Sequence, residues 1–185
     1  MISKSVFEFL VKKHPVDKQF RKISELPYVF HCFDTISQLA RWGVRHQPTI
    51  DGMGMHDVRE EDPDTTFDEL VVAGGNEAAT IAEQLTFIPD EKSDLSKKEQ
   101  KAIYMSSFGN KLIQSVVCKI SDRLCNTRDF VYYDFKYAKK YWKKASDLLK
   151  VFHSRKDEII NLYGKDIFYI IDADIDEMDR RFCDL

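Results

Sequence analysis

Little in this sequence punctuates the chain: it has five prolines and seven glycines in 185 residues. No Pro/Gly-rich linker, internal repeat or low-complexity tract divides it. One domain over 1–185 is therefore expected, with 165–185 as a C-terminal extension of ambiguous structure. Long hydrophobic runs are missing as well. Val6 to Val11 is interrupted by Glu8, and Ile167 to Ile171 is far shorter than the ~20 residues a membrane span needs, so no membrane partner is expected. The four cysteines, Cys32, Cys118, Cys125 and Cys183, show neither CxxC nor zinc-finger spacing. The N-terminus lacks the basic and apolar pattern of a secretory signal, which sets the expectation of a cytoplasmic chain with reduced thiols. There is no excess of positive charge: the net charge is −3, which excludes a nucleic-acid-binding charge over the whole chain.

Charge is present locally. Asp57 to Glu69 holds seven acids (Asp57, Glu60, Glu61, Asp62, Asp64, Asp68, Glu69) against Arg59 alone, while bases dominate from Lys136 to Lys156. Hydrophobic residues make up 43% and recur mostly at helical spacing, so the chain reads as all-α, a single helical bundle. The spacing predicts a helix from about Ser3 to Lys13, stopped by Pro15. A second follows His31 and ends near Gly43, and a third leads from Pro48 towards His56. Thr66 with Glu69, and Ser96 with Glu99, have capping-box spacing. A short helix is expected over Asn76–Gln84, a loop over Phe87–Ser96, and an apolar helix through Leu112, Val116, Ile120 and Leu124. The longest helix is expected from Asp134 to about Tyr163, stopping at Gly164.

The chemistry-bearing residues stand in the order His … His-Asp … Asp. His31 lies 25 residues before His56, and Asp122 lies 65 residues after Asp57, inside an otherwise apolar helix. A buried acid is costly unless it is paired or bound to a metal. Four imidazole and carboxylate groups from three segments suit a divalent ion such as Mn²⁺. Asp122 could alternatively pair with Arg123 or Arg128.

This order resembles the HD-domain metal-dependent phosphohydrolases. Three blocks narrow the resemblance. Arg21 to His31 is similar to a family stretch that opens with a basic pair and closes with "PYxxH". His56 to Thr65 is similar to "HDVxEDTPxT", and Lys119 to Asp129 to "KLADRLxNxRD". Together they resemble the hydrolase domain of RelA/SpoT-type alarmone enzymes, over roughly residues 15–145.

The resemblance implies an all-α HD domain that uses Mn²⁺ to remove the 3′-pyrophosphate of guanosine tetra- or pentaphosphate. His31, His56, Asp57 and Asp122 would hold the ion. Glu60, with Glu61 beside it where the family usually has Asp, would be catalytic. Arg21, Lys22, Asn126 and Tyr141 would contact the nucleotide. The chain departs from the pattern at this Glu-Glu pair and at Asp51-Gly52-Met53-Gly54-Met55, where two glycines weaken helix propensity. An adenosine alarmone, NADPH or a pyrophosphorylated tRNA 3′ end are the alternative substrates, and a non-catalytic nucleotide-binding module is the alternative to an enzyme. No segment resembles a synthetase, so the expected reaction runs one way.

Other motifs read more plainly. His14, His46 and His153 have no matching context and are expected on the surface, and Asp62 on a solvated face. Tyr133, Tyr137 and Tyr141 form a stripe expected to pack on the core. Lys139, Lys140, Lys143 and Lys144 read as a solvated face that could instead meet an RNA end. Asp172 to Asp176 imitates a calcium loop but lacks its glycine and terminal glutamate. There is no phosphate-binding GxxxxGK[ST] loop.

Overall fold

The computed structural model describes residues 1–21 and 24–183. Their regular structure is helical: α1 (Lys4–Lys13), α2 (Val29–Arg41), α3 (Gln47–Gly54), α4 (Val58–Glu61), α5 (Phe67–Leu85), α6 (Lys97–Ser106), a 3-10 turn (Ser107–Asn110), α7 (Ile113–Tyr133), α8 (Phe135–Lys143), α9 (Ser146–Ser154), α10 (Lys156–Tyr163) and α11 (Lys165–Cys183). The only strand-like pairing among them is an antiparallel bridge between Phe20 and Pro27. No described helix is long and apolar enough to cross a membrane.

Local chemistry explains the helix starts. Ser3 Oγ accepts from Val6 N at the head of α1. Thr66–Glu69 and Ser96–Glu99 form reciprocal capping boxes at α5 and α6. α2 begins at Val29, before His31, so that histidine sits in its first turn. α5 absorbs the expected Asn76–Gln84 helix across a break at Gly75, whose φ of 81° is left-handed.

The core joins Leu39 and Trp42 of α2 and its end, Ile81 and Leu85 of α5, Phe108, Leu124 of α7 and Phe152 of α9. The two glycines before His56 do structural work here. A Cβ on Gly52 would stand 2.7 Å from Ile81 Cβ and 2.8 Å from the Ala78 carbonyl. The low helix propensity of this stretch is thus exchanged for close approach of α3 to α5, which seats the His56-Asp57 corner.

The long helix expected over 134–163 is instead three, and α7 is the longest helix. Asp134 accepts from Tyr137 N and caps α8. The α8–α9 turn buries Ala145, and Trp142 Nε1 reaches Asp179 on α11. At the next break the Arg155 guanidinium donates to the Phe108 and Lys111 carbonyls and pairs with Glu158. Tertiary contacts bend a segment whose local sequence carries no breaker. The ambiguous tail is helical through Cys183.

Candidate metal centre

Three pieces of the fold meet at one point. α2 supplies His31, the corner between α3 and α4 supplies His56 and Asp57, and α7 supplies Asp122. His31, His56 and Asp122 offer ligand atoms that all lie within 4.8 Å of one another. Asp57 joins them: its Oδ2 is 3.0 Å from His56 Nε2 and 3.5 Å from His31 Nε2. Asp122 Oδ1 is 3.3 Å from His31 Nε2 and 3.9 Å from His56 Nε2. All four residues are buried.

The donor set suits a cation. His56 Nδ1 lies 2.7 Å from the Met53 carbonyl, which can only accept, so the ring proton belongs on Nδ1. Nε2 then presents a lone pair to the Asp57 and Asp122 carboxylates and makes no aligned hydrogen bond. Opposed acceptors in a buried pocket need a positive centre between them, either a proton or a metal ion. The electrostatics state the same demand. Burial works against a charged His56, but the Asp57 and Asp122 charges outweigh it and raise its pKa. Burial also opposes the Asp57 charge, yet the His56 and His31 imidazoles hold that carboxyl well below the usual range.

Asp122 does not pair with Arg123 or Arg128. Its Oδ2 is 2.8 Å from Lys119 Nζ, one turn earlier on α7; burial opposes the Asp122 charge, but that cation together with the His31 and His56 imidazoles holds the carboxyl well below the usual range. Arg123 instead stacks its guanidinium 4.1 Å from the Tyr141 ring centre, and Arg128 pairs with Asp174 of α11.

The expected catalytic pair divides. Glu60 is exposed on α4, four residues after His56, and its Oε1 accepts from Phe87 N at 2.6 Å. Protein packed behind it and the Asp57 charge push its carboxyl above the usual range. Glu61 turns to the other side and accepts from Gln19 Nε2 at 2.9 Å.

Of the expected nucleotide contacts, Arg21 is buried and donates to Asn126 Oδ1 at 2.8 Å. Its guanidinium also lies 3.1 Å from Asp129. Asn126 Nδ2 donates in turn to Asp122. Lys22 lies outside the described residues. Tyr141 packs edge-on against Phe130 at 4.9 Å, and burial pushes its hydroxyl up to about 12.

Two sequence expectations are corrected nearby, and a third holds. His14 is buried, not on the surface: its Nδ1 meets Gln19 Oε1 at 2.8 Å and its ring packs 5.3 Å from Tyr28. Asp62 lies on a solvated face as expected, and it pairs there with Lys13 at 3.0 Å. Of the tyrosine stripe, Tyr133 and Tyr137 are exposed: the helix breaks at Asp134, so Tyr133 ends α7 and Tyr137 lies on α8, where its ring still meets Phe130 at 5.0 Å.

Spacing alone missed Tyr28 and Lys119. The Tyr28 hydroxyl donates to Asp57 Oδ2 at 2.6 Å. Both residues stand three positions before a residue of the centre, His31 and Asp122, and i,i+3 on a helix face is the signal that finds them.

No family model matches the chain. Over 144 residues it is 30% identical to the guanosine-3′,5′-bis(diphosphate) 3′-pyrophosphohydrolase of Aquifex aeolicus, covering 77% of this chain and 20% of that protein. Over 123 residues it is 30% identical to the enzyme of the same name from Xenopus tropicalis, covering 65% of each. The chain is thus similar in sequence to these two pyrophosphohydrolases over part of their length. It spans about a fifth of one of these relatives and just under two thirds of the other. The whole chain also superposes on 99% of a solved metazoan ortholog of SpoT, with a TM-score of 0.74 at 20% identity. That protein hydrolyses ppGpp and plays a role in starvation responses; the likeness establishes the all-α HD-domain fold for this chain.

Proposed function

We propose that the protein is a Mn²⁺-dependent pyrophosphohydrolase that removes the 3′-pyrophosphate of guanosine tetra- or pentaphosphate as a unit. The observation that carries this reading is the convergence of His31, His56, Asp57 and Asp122 around an unpartnered His56 Nε2. The relatives named for this reaction support the substrate. Mixed imidazole and carboxylate donors suit Mn²⁺.

A divalent ion at this centre supplies Lewis acidity, polarising a phosphoryl oxygen and lowering the pKa of water. The chain's own residues do the rest. Glu60 Oε1 is engaged by Phe87 N–H, which leaves Oε2 to accept the water's proton. A raised carboxyl pKa brings that base closer to working pH. Glu61 keeps Gln19 and the wall it belongs to in place. Arg21 offers a guanidinium to phosphate, and Asn126 holds it beside Asp122. Lys22 and Tyr141 complete the nucleotide's surroundings in this reading.

Purified protein incubated with Mn²⁺ and guanosine tetraphosphate should release pyrophosphate and GDP. No turnover by folded protein with the ion bound would overturn the substrate, and nucleotide binding without turnover across a wide panel would point to a binding module. A second reading, an RNA end as substrate, draws on α8. Lys136, Lys140, Lys143 and Lys144 are exposed there, beside exposed Tyr132, Tyr133 and Tyr137. Release of pyrophosphate from a 3′-pyrophosphorylated RNA, with guanosine tetraphosphate untouched, would favour it.

A further inference from the structure

Asp57 is an unusual ligand candidate because its own helix does not hold it. It stands at the N-cap of α4, yet its carboxylate makes no capping hydrogen bond. Oδ2 is turned inward instead, towards His56 Nε2 and His31 Nε2. Among the described residues, the one hydroxyl on that oxygen belongs to Tyr28, at 2.6 Å.

Tyr28 is itself aimed. Its ring lies 5.3 Å from His14 on one side and meets His31 edge-on at 5.9 Å. His14 is fixed by Gln19 Oε1, and Gln19 Nε2 is fixed by Glu61. The backbone agrees: Tyr28 N donates to the Gln19 carbonyl at 2.9 Å, closing the same wall. A chain of contacts thus runs Glu61–Gln19–His14–Tyr28–Asp57, from the rim of the site to its centre.

We propose that Tyr28 is a positioning residue of the metal centre, holding Asp57 Oδ2 in the orientation that binds the ion. The inference rests on the reading of His31, His56, Asp57 and Asp122 as that centre. A carboxylate oxygen has lone pairs enough for both partners, so the hydroxyl and the ion do not compete. The donor fixes which lone pair points inward and removes the rotational freedom the carboxylate would otherwise lose on binding. Such outer contacts typically govern metal affinity by about 10- to 100-fold.

The test is Mn²⁺ binding by calorimetry, with the bound-Mn²⁺ electron paramagnetic resonance spectrum recorded on the same samples. Tyr28→Phe keeps the ring between His14 and His31 and removes only the hydroxyl. It should bind Mn²⁺ about 10- to 100-fold more weakly, with an altered spectrum and an unchanged helical circular dichroism. Gln19→Ala, which loosens the clamp without touching the centre, should weaken binding in the same direction by less. Wild-type affinity and spectrum in both variants would overturn the role of Tyr28 and leave the centre standing. Absence of Mn²⁺ binding by the wild-type protein would overturn the centre and this inference with it.

Discussion

Arg21 and Asn126 are joined by a 2.8 Å hydrogen bond across 105 residues of chain. The bond ties the wall before α2 to α7, and Asn126 passes the constraint on to Asp122. Asn126→Ala should therefore act twice, freeing Arg21 and loosening Asp122. We expect Mn²⁺ affinity or turnover to fall about 10- to 100-fold, as for other outer contacts of a metal site. Asn126 is only half-buried, so the melting temperature should hold. Calorimetric titration beside a thermal melt separates the two effects.

Asp57→Ala should abolish turnover and Mn²⁺ binding while the helical circular dichroism stays intact. The side chain removed belongs to the centre, and the core around Leu39 and Leu124 is untouched. Retained activity would remove Asp57 from the ligand set.

Gly52→Ala should cost stability although alanine is the better helix former. The new Cβ would meet the Ala78 backbone oxygen at 2.8 Å and Ile81 Cβ at 2.7 Å, and a backbone cannot step aside as a flexible side chain can. Overpacking of this kind costs about 1–3 kcal/mol. Denaturant unfolding measures it, and a loss of Mn²⁺ affinity should accompany it, because α3 carries the His56 corner.

Lys111 supplies a pH signature away from the centre. Burial, aided by the Lys119 charge, lowers its pKa to about 8 from 10.5. Its ammonium lies 3.9 Å from the Tyr104 ring centre and donates to the Gln84 carbonyl. The unfolded chain therefore binds more protons than the folded one between about pH 8 and 10.5. The cost of this lysine is fully present below pH 8 and is relieved as pH rises through that window. Relative to Lys111→Met, the wild-type protein should gain stability from pH 7 to pH 10 in paired denaturant melts. A constant difference between the two would remove Lys111 as the cause.

The all-α class, the capping boxes and most helix cores could be read from the chain because each rests on short-range chemistry. Thr66 and Glu69 meet within one turn, and Leu112 to Leu124 keep one spacing. The order of His31, His56, Asp57 and Asp122 was legible in the same way, as polar residues in apolar or motif-bearing settings. The bends of the 134–163 segment leave no local trace because they are imposed from outside, by Arg155 reaching Phe108 and Lys111 and by Trp142 reaching Asp179. The burial of His14 is hidden from the sequence for the same reason: only the folded wall brings Gln19 and Tyr28 to it. Gly52 reads as a weak helix position until Ile81 is packed against it.

The spacing of the centre along the chain has a consequence for folding. His31, the His56-Asp57 pair and Asp122 are separated by stretches of 25 and 65 residues, so their donor atoms share a point only after α2, the α3–α4 corner and α7 have docked. An ion bound there acts as a removable cross-link over half of the chain, recognising the folded state and little else. At a hundred times its dissociation constant it adds about 2.7 kcal/mol to the folded state. The supply of one trace metal would then set not only how fast the protein works but how much of it survives.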